Sequence, residues 1–174
     1  QHGYPSWLYS VDQGATTIWE RWNSYTVENG FHPTEAHNTS FNHYSYGSVV
    51  AWMFRGMAGI SYDENLPGFK HIILKPQPSK LIPEVKASYE SIYGKIVSNM
   101  WYEGNRWNYV ATVPANTSAT VFLPANKLES LKINGQCGYT DIPGLSFVGY
   151  DPQAGIVTLE IGAGTYSFSS AHSL

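Results

Sequence analysis

The chain has 174 residues, of which 43% are hydrophobic, 15% aromatic and only 13% charged, with a formal net charge of -3. A pI near 6.0 excludes the basic surface of a nucleic-acid-binding protein. No apolar run of about 18 residues is present to cross a bilayer, and a lone cysteine excludes an intrachain disulfide. The length suits one ordinary domain, or a small domain with part of another.

The first predicted element is a helix over residues 17–24, which carries a carboxylate among aromatic rings: Glu20 lies between Trp19 and Trp22. Rings of this kind bind the apolar faces of a sugar and exclude water, and a shielded carboxylate can be tuned for proton transfer. Two ordinary alternatives remain open. Thr17 and Glu20 also fit a capping box at a helix N-terminus, and Glu20 next to Arg21 could be part of a solvated face.

The tryptophans near this carboxylate have two interpretations. Trp19 and Trp22 are three positions apart and would share a face of the predicted helix. Trp19 is the preferred sugar-facing ring, Trp22 follows, and Trp7 in the preceding loop is a third platform. Packing in a core is an equally ordinary role for each of them.

A polar loop over residues 26–39 offers His32, Glu35 and His37 as possible metal ligands. Their spacing matches no standard structural zinc site, and the loop contains no cysteine. A solvated loop is the favoured interpretation. The sequence therefore predicts neither a metal nor a cofactor.

A second helix is predicted to begin near Ser40 or Asn42 and to extend to about residue 58. It is apolar on nearly every face, which predicts burial among other helices. Since the preceding residues cannot cover it, its partners are expected upstream of Gln1. His43 lies at its start, and local context alone favours a hydrogen-bonded structural histidine.

Beyond a breaker at Pro67-Gly68 the pattern changes to period two, which predicts domains over residues 1–62 and 63–174. Gly104-Asn105 predicts a hairpin turn, and Trp101 and Trp107 flank it as a sugar-binding surface or a cross-strand aromatic pair. Many short strands without a helix predict an antiparallel β-sandwich. The candidate strands are Lys70–Lys75, Val85–Ser91, Lys95–Glu103, Trp107–Val113, Thr117–Leu123, Ser130–Ile133, Ser146–Tyr150, Ile156–Ile161 and Gly164–Ser169.

Several segments, in order, resemble the bacterial α-L-rhamnosidases of glycoside hydrolase family 78. The segments are GATTIWERW (14–22), NHYSYG (42–47), FRGMAGI (54–60), PGFKHIILKP (67–76) and KASYESIYG (86–94). They cover roughly residues 4–100, whereas the remainder matches only in its β character. The resemblance implies an α + β fragment of a multidomain protein, in which the last helices of an (α/α)6 barrel precede an antiparallel β-sandwich.

The same resemblance implies hydrolysis of terminal α-L-rhamnosyl residues with inversion, with Glu20 as the general base and His43 as a ligand of the sugar hydroxyls. The motif of the general acid has no counterpart in these residues, so the acid is expected upstream and the segment alone is expected to be inactive. The implied partners are a rhamnose-containing oligosaccharide or glycoside and the upstream barrel, with no nucleic acid and no membrane. A periplasmic, secreted or cytoplasmic location in a bacterium stays open.

Two rival functions remain at this point. The strand-rich part could be a non-catalytic module that binds carbohydrate or protein, with the helical part as a connector. Alternatively, the intact protein could be an (α/α)6 glycosidase with another sugar preference, which assays on rhamnosides, fucosides and glucuronides would separate.

Overall fold

The computed structural model describes residues 2–33 and 39–172. They form two compact units, a first unit up to residue 52 and a second unit from residue 53 onward. The two predicted domains, residues 1–62 and 63–174, remain a prediction, because a compact unit is a division by packing and need not coincide with a domain of the family.

The first unit has little regular structure. Its elements are α1 (Trp7–Asp12), β1 (Tyr25–Thr26), β2 (Gly30–Phe31), a 3-10 helix (Ser45–Ser48) and α2 (Val49–Trp52). The Ser6 hydroxyl caps α1 by accepting a hydrogen bond from the Tyr9 amide at 3.1 Å, as small polar residues do at helix starts. β1 and β2 pair in an antiparallel hairpin.

The predicted helix over residues 17–24 is wrong, since bends and turns occupy this segment. Its backbone groups are used by a distant segment: the Glu20 amide donates to the Ser40 carbonyl at 2.9 Å, and the Ile18 carbonyl accepts from the His43 amide at 2.8 Å. Bonds to a segment twenty residues away replace the bonds to the fourth residue that a helix needs. The local sequence does not indicate that bonds to a distant segment replace the helical bonds.

The second predicted helix starts later than expected. The Ser40 hydroxyl accepts from the Asn42 amide at 3.1 Å, which holds a local turn there. Helical structure begins at Ser45, and a π-helix (Met53–Met57) belongs to the second unit. Val50 is 50% and Trp52 58% exposed, so the upstream helices expected to cover this segment stay a prediction.

The second unit contains two sheets within residues 53–172. Its strands are β3 (Ile60–Tyr62), β4 (His71–Leu74), β5 (Glu84–Ser91), β6 (Gly94–Glu103), β7 (Arg106–Val113), β8 (Ser118–Pro124), β9 (Lys132–Ile133), β10 (Gln136–Cys137), β11 (Leu145–Asp151), β12 (Ile156–Ile161) and β13 (Gly164–Ala171). The six-stranded sheet has the order β10-β9-β13-β7-β6-β5, and the five-stranded sheet the order β11-β12-β8-β4-β3. Every predicted strand is present, whereas β3 and β10 were not predicted.

The two sheets share one hydrophobic core. Strict alternation of buried and partly exposed positions along β7 and β12 matches the period-two pattern of the sequence. Apart from Leu131, which precedes β9, the largest fully buried side chains come from strands of both sheets: Trp107, Tyr109, Ile72, Leu74, Ile96, Met100, Leu123, Ile133, Leu159, Ile161 and Val121. The predicted α + β architecture, with a β-sandwich after a small helical part, is therefore confirmed.

Pairings within these sheets are antiparallel except for one. β4 runs parallel to β8, with His71 opposite Ser118 and Leu74 opposite Val121. The His71 ring bonds to the hydroxyls of Ser118 at 2.7 Å and Thr120 at 2.8 Å, so the side chain also ties the two strands together. Among residues 2–33 and 39–172, no helix is long and apolar enough to cross a membrane.

The hairpin predicted at Gly104-Asn105 is confirmed, but Trp101 and Trp107 form neither a cross-strand pair nor a shared sugar-binding surface. In the register of β6 and β7, Tyr102 lies opposite Trp107 and Trp101 lies opposite Asn108. The two indoles therefore project from opposite faces of the sheet. Trp107 is fully buried, with its ring 5.3 Å from that of Tyr109, so it cannot contact a sugar.

Two tyrosines, Tyr102 partly buried and Tyr109 fully buried, predict a loss of stability at high pH. Burial raises the pKa of Tyr102 to about 12, and it also raises the pKa of Tyr109. Because unfolded tyrosine titrates near about pH 10, this stabilisation is complete below about pH 10 and is lost as the pH rises toward about 12. Urea unfolding between pH 9 and 11.5 should show a falling free energy of unfolding. The fall should be smaller in Tyr102→Phe, and an equal fall in that variant would contradict the assignment.

Candidate active site

Two segments of the first unit lie side by side and carry the predicted site residues. Besides the Glu20–Ser40 and His43–Ile18 backbone bonds, the Thr17 hydroxyl donates to the Phe41 carbonyl. This pairing holds residues 17–20 against residues 40–43. It brings the backbone positions of Glu20 and His43 into neighbouring segments, which their separation in the sequence did not indicate.

The Glu20 carboxyl is partly buried and held by one oxygen. Its Oε2 accepts a hydrogen bond from the Ser40 amide at 2.7 Å, while Oε1 accepts none from residues 2–33 and 39–172. The capping-box alternative is wrong, because the bond goes to the distant Ser40 and no helix begins here. A carboxylate fixed through one oxygen, with the other available, can accept a proton from a water molecule.

His43 is partly buried, and its ring lies parallel to that of Tyr44 at a centroid distance of 5.5 Å. The Ser45 amide donates to His43 Nδ1 at 3.3 Å, which favours the neutral tautomer with its proton on Nε2. The described part of the chain offers no partner to Nε2. A single N–H donor is therefore available for a ligand oxygen.

Three aromatic side chains form a wall in this unit. The Trp22 ring stacks on Tyr46 with centroids 3.7 Å apart, and Trp7 meets Trp22 edge-on at 5.3 Å. Trp7 Nε1 donates to the Tyr46 carbonyl at 2.9 Å, which fixes the orientation of the indole. Trp7 remains 44% exposed. Tyr46 was predicted only as a helix residue, and no local signal identified it as a stacking partner.

Trp19 lies in a different environment. Its side chain is 7% exposed and meets Phe41 edge-on at 5.4 Å and Tyr25 at 6.3 Å. This position favours the packing alternative for Trp19. Its predicted contact with a sugar stays a prediction.

Only one of the three possible metal ligands lies within the described residues. Glu35 and His37 lie outside the described residues, whereas His32 is partly buried and takes part in an interaction. Among residues 2–33 and 39–172, no group of three or more His, Cys, Asp or Glu side chains could hold a metal ion.

Two family models match the chain in succession. The bacterial α-L-rhamnosidase 6-hairpin glycosidase domain matches residues 1–57, and the bacterial α-L-rhamnosidase C-terminal domain matches residues 59–137. The chain belongs to the bacterial α-L-rhamnosidase family. The first unit thus carries a portion of the 6-hairpin domain, and the β-sandwich contains the C-terminal domain of the family.

Relatives and solved structures agree with this assignment. An α-L-rhamnosidase of Formosa agariphila is 34% identical over 171 residues, which are 98% of this chain and 18% of the relative. One from Alteromonas sp. is 40% identical over 123 residues, 71% of this chain and 13% of the relative. The Streptomyces avermitilis α-L-rhamnosidase complexed with L-rhamnose superposes with a TM-score of 0.78 at 30% identity, covering 97% of this chain and 15% of that one.

The Dictyoglumus thermophilum α-L-rhamnosidase gives a TM-score of 0.73 at 30% identity, covering 97% of this chain and 18% of that one. The chain therefore spans less than a fifth of the length of these relatives. The activity in the names of these relatives is thus the activity of chains more than five times as long as this one.

Proposed function

We propose that the intact protein is an inverting α-L-rhamnosidase, which releases terminal α-L-rhamnose from rhamnose-containing oligosaccharides or glycosides. Both family models and the named relatives support the reaction class. The observation that carries the proposal is the Glu20 carboxyl, anchored to the Ser40 amide through Oε2, while its Oε1 has no hydrogen-bond partner among the described residues.

Glu20 acts as the general base. Its free oxygen takes a proton from a water molecule while the water oxygen attacks the anomeric carbon from the face opposite the leaving group. A second carboxyl, which lies outside this chain, protonates the leaving oxygen. Inverting enzymes hold the two carboxyls about 6.5–9.5 Å apart so that the water fits between them, and the anchoring bond to Ser40 fixes one end of this distance.

His43 and the aromatic wall position the sugar. The Nε2–H of neutral His43 donates to a rhamnose hydroxyl, and Trp22 with Trp7 offers ring surface to the apolar face and methyl group of the deoxyhexose. None of these side chains transfers a proton. They bind the substrate and exclude water from the reacting carbon.

The proposal is tested by assaying the intact enzyme on aryl α-L-rhamnosides, α-L-fucosides and glucuronides, with NMR detection of the first product anomer. We expect the highest kcat/KM on the rhamnoside and initial release of β-L-rhamnose. Initial release of the α anomer would exclude inversion, and a preference for another sugar would overturn the substrate assignment.

Replacement of His43 by Ala should weaken substrate binding more than it slows the chemical step. Loss of one hydrogen bond to the sugar is worth on the order of 1 kcal/mol, so we expect KM to rise about five- to tenfold with a smaller fall in kcat. Steady-state kinetics on an aryl rhamnoside measures both constants. His2→Ala is the control, since His2 is exposed and pairs only with Asp12 in the described residues. An unchanged KM in His43→Ala would remove His43 from the site.

A further inference from the structure

The outer face of the six-stranded sheet carries one row of side chains that crosses its strands. Successive neighbours in the register are Glu84, Trp101, Asn108, Ser169 and Lys132, on β5, β6, β7, β13 and β9. Trp101 thus lies in one row with polar side chains on the outer surface of the sheet. The active-site proposal uses none of these residues.

Trp101 differs from the other indole of this hairpin. It is partly exposed and does not belong to the hydrophobic core, whereas Trp107 is fully buried. Within the described chain, Trp101 Nε1 has no hydrogen-bond partner and is not among the buried unsatisfied atoms, so it reaches solvent. Its indole ring is therefore available to a ligand without unfolding the core.

A groove of about 200 Å³ adjoins this ring. Besides Trp101, its polar lining comes from Asn108, Lys132, Ser167 and Ser169, and the rest comes from Tyr109, Gly135 and Phe168. Drug-sized ligands occupy pockets of roughly 300–1,000 Å³, so this groove suits a single ring with attached hydroxyls. Amide, hydroxyl and ammonium groups provide the donors and acceptors that such hydroxyls need.

Two contacts within the protein hold charged side chains of this face. Lys86 forms an ion pair with Glu84, and Arg106 Nη2 donates to the Ser169 hydroxyl at 2.9 Å. Lys132 is the one charged side chain that lines the groove within the described residues. The surface therefore combines an aromatic ring with mainly neutral polar groups, which is the chemistry that recognises an uncharged sugar.

We propose that this face is a second carbohydrate-binding site, in which a pyranose ring of an uncharged polysaccharide stacks on Trp101. Asn108, Ser167 and Ser169 bond its hydroxyls, and Lys132 donates to a ring or hydroxyl oxygen at the end of the row. The site binds sugar without cleaving it. It keeps the polymer attached while other residues carry out the hydrolysis.

Affinity electrophoresis of the intact protein tests the site, with galactomannan, xyloglucan, arabinoxylan or an uncharged rhamnan cast into native gels. The Glu20→Gln background prevents cleavage during the run. At least one polymer should retard the protein, and Trp101→Ala should weaken the apparent binding at least about tenfold, as for a central aromatic contact. Asn108→Ala, which keeps the ring, should weaken it less.

Phe122→Ala is the matched control, because Phe122 is a partly exposed aromatic residue on β8 of the other sheet with Lys75 over its ring. Its retardation should equal that of the parent. Retardation by none of the polymers, or equal retardation of Trp101→Ala and the parent, would overturn the proposal. Galactomannan, xyloglucan and arabinoxylan offer no rhamnosyl bond to cleave, so retardation in these three gels does not depend on whether Glu20 is the catalytic base.

Discussion

Replacement of Glu20 by Gln in the intact enzyme should lower kcat about 10²–10⁴-fold, the usual contribution of a general base. The amide keeps the size of the side chain and can still accept the Ser40 bond through its oxygen, but it cannot take a proton from water. KM should change little. Steady-state hydrolysis of an aryl α-L-rhamnoside measures the effect, and circular dichroism shows that the variant is folded.

A chemical rescue distinguishes loss of the base from a general defect. Azide needs no deprotonation before it attacks the anomeric carbon, so it should raise the turnover of Glu20→Gln and give the β-rhamnosyl azide. Glu28→Gln is the matched control, because Glu28 is an exposed glutamate of the same unit. Turnover of Glu20→Gln within a few fold of the parent would remove Glu20 from the catalytic machinery.

Replacement of Gly59 by Ala should destabilise the second unit by more than about 3 kcal/mol. Gly59 is buried at φ +70°, and its carbonyl accepts from the Lys75 amide at 2.8 Å. A Cβ atom there would overlap the backbone of Lys75 and Pro76, and backbone atoms cannot rotate away as a flexible side chain can. Urea unfolding followed by circular dichroism gives the change.

The Gly104→Ala variant measures the cost of backbone strain without the cost of such an overlap. Gly104 has φ +60° in the hairpin between β6 and β7, and a Cβ atom added there would meet no atom within 4 Å. Only the left-handed conformation then opposes the substitution, at about 1–2 kcal/mol. Similar losses of stability in the two variants would show that the approach to Lys75 and Pro76 is not what requires a glycine at Gly59.

The sequence predicted the sandwich well because its strands are specified locally. Alternating apolar residues in β7 and β12 and the Gly-Asn turn both act within a few residues. The same locality explains the errors. Whether Trp101 or Trp107 enters the core depends on the register across the hairpin, which the two residues alone do not reveal.

The first unit was predicted less well because its backbone bonds join distant segments. Residues 17–20 form their hydrogen bonds with residues 40–43 and not within a helix. The helical spacing of Trp19 and Trp22 therefore does not determine where their side chains lie. The proposed roles of Glu20 and His43 rest on the family resemblance, since local sequence alone favours capping and structural interpretations. The Trp22–Tyr46 stack joins side chains 24 positions apart, and only the three-dimensional structure reveals it.

The parallel pairing of β4 with β8 has a consequence for folding kinetics. β5, β6 and β7 follow one another as hairpins and can assemble from local contacts, whereas residues 71–74 must wait for residues 118–121. The chain between them passes through the opposite sheet before it returns. Such non-local closure slows folding, typically to milliseconds or seconds. During synthesis on the ribosome, β4 therefore stays without this neighbour until β8 has emerged.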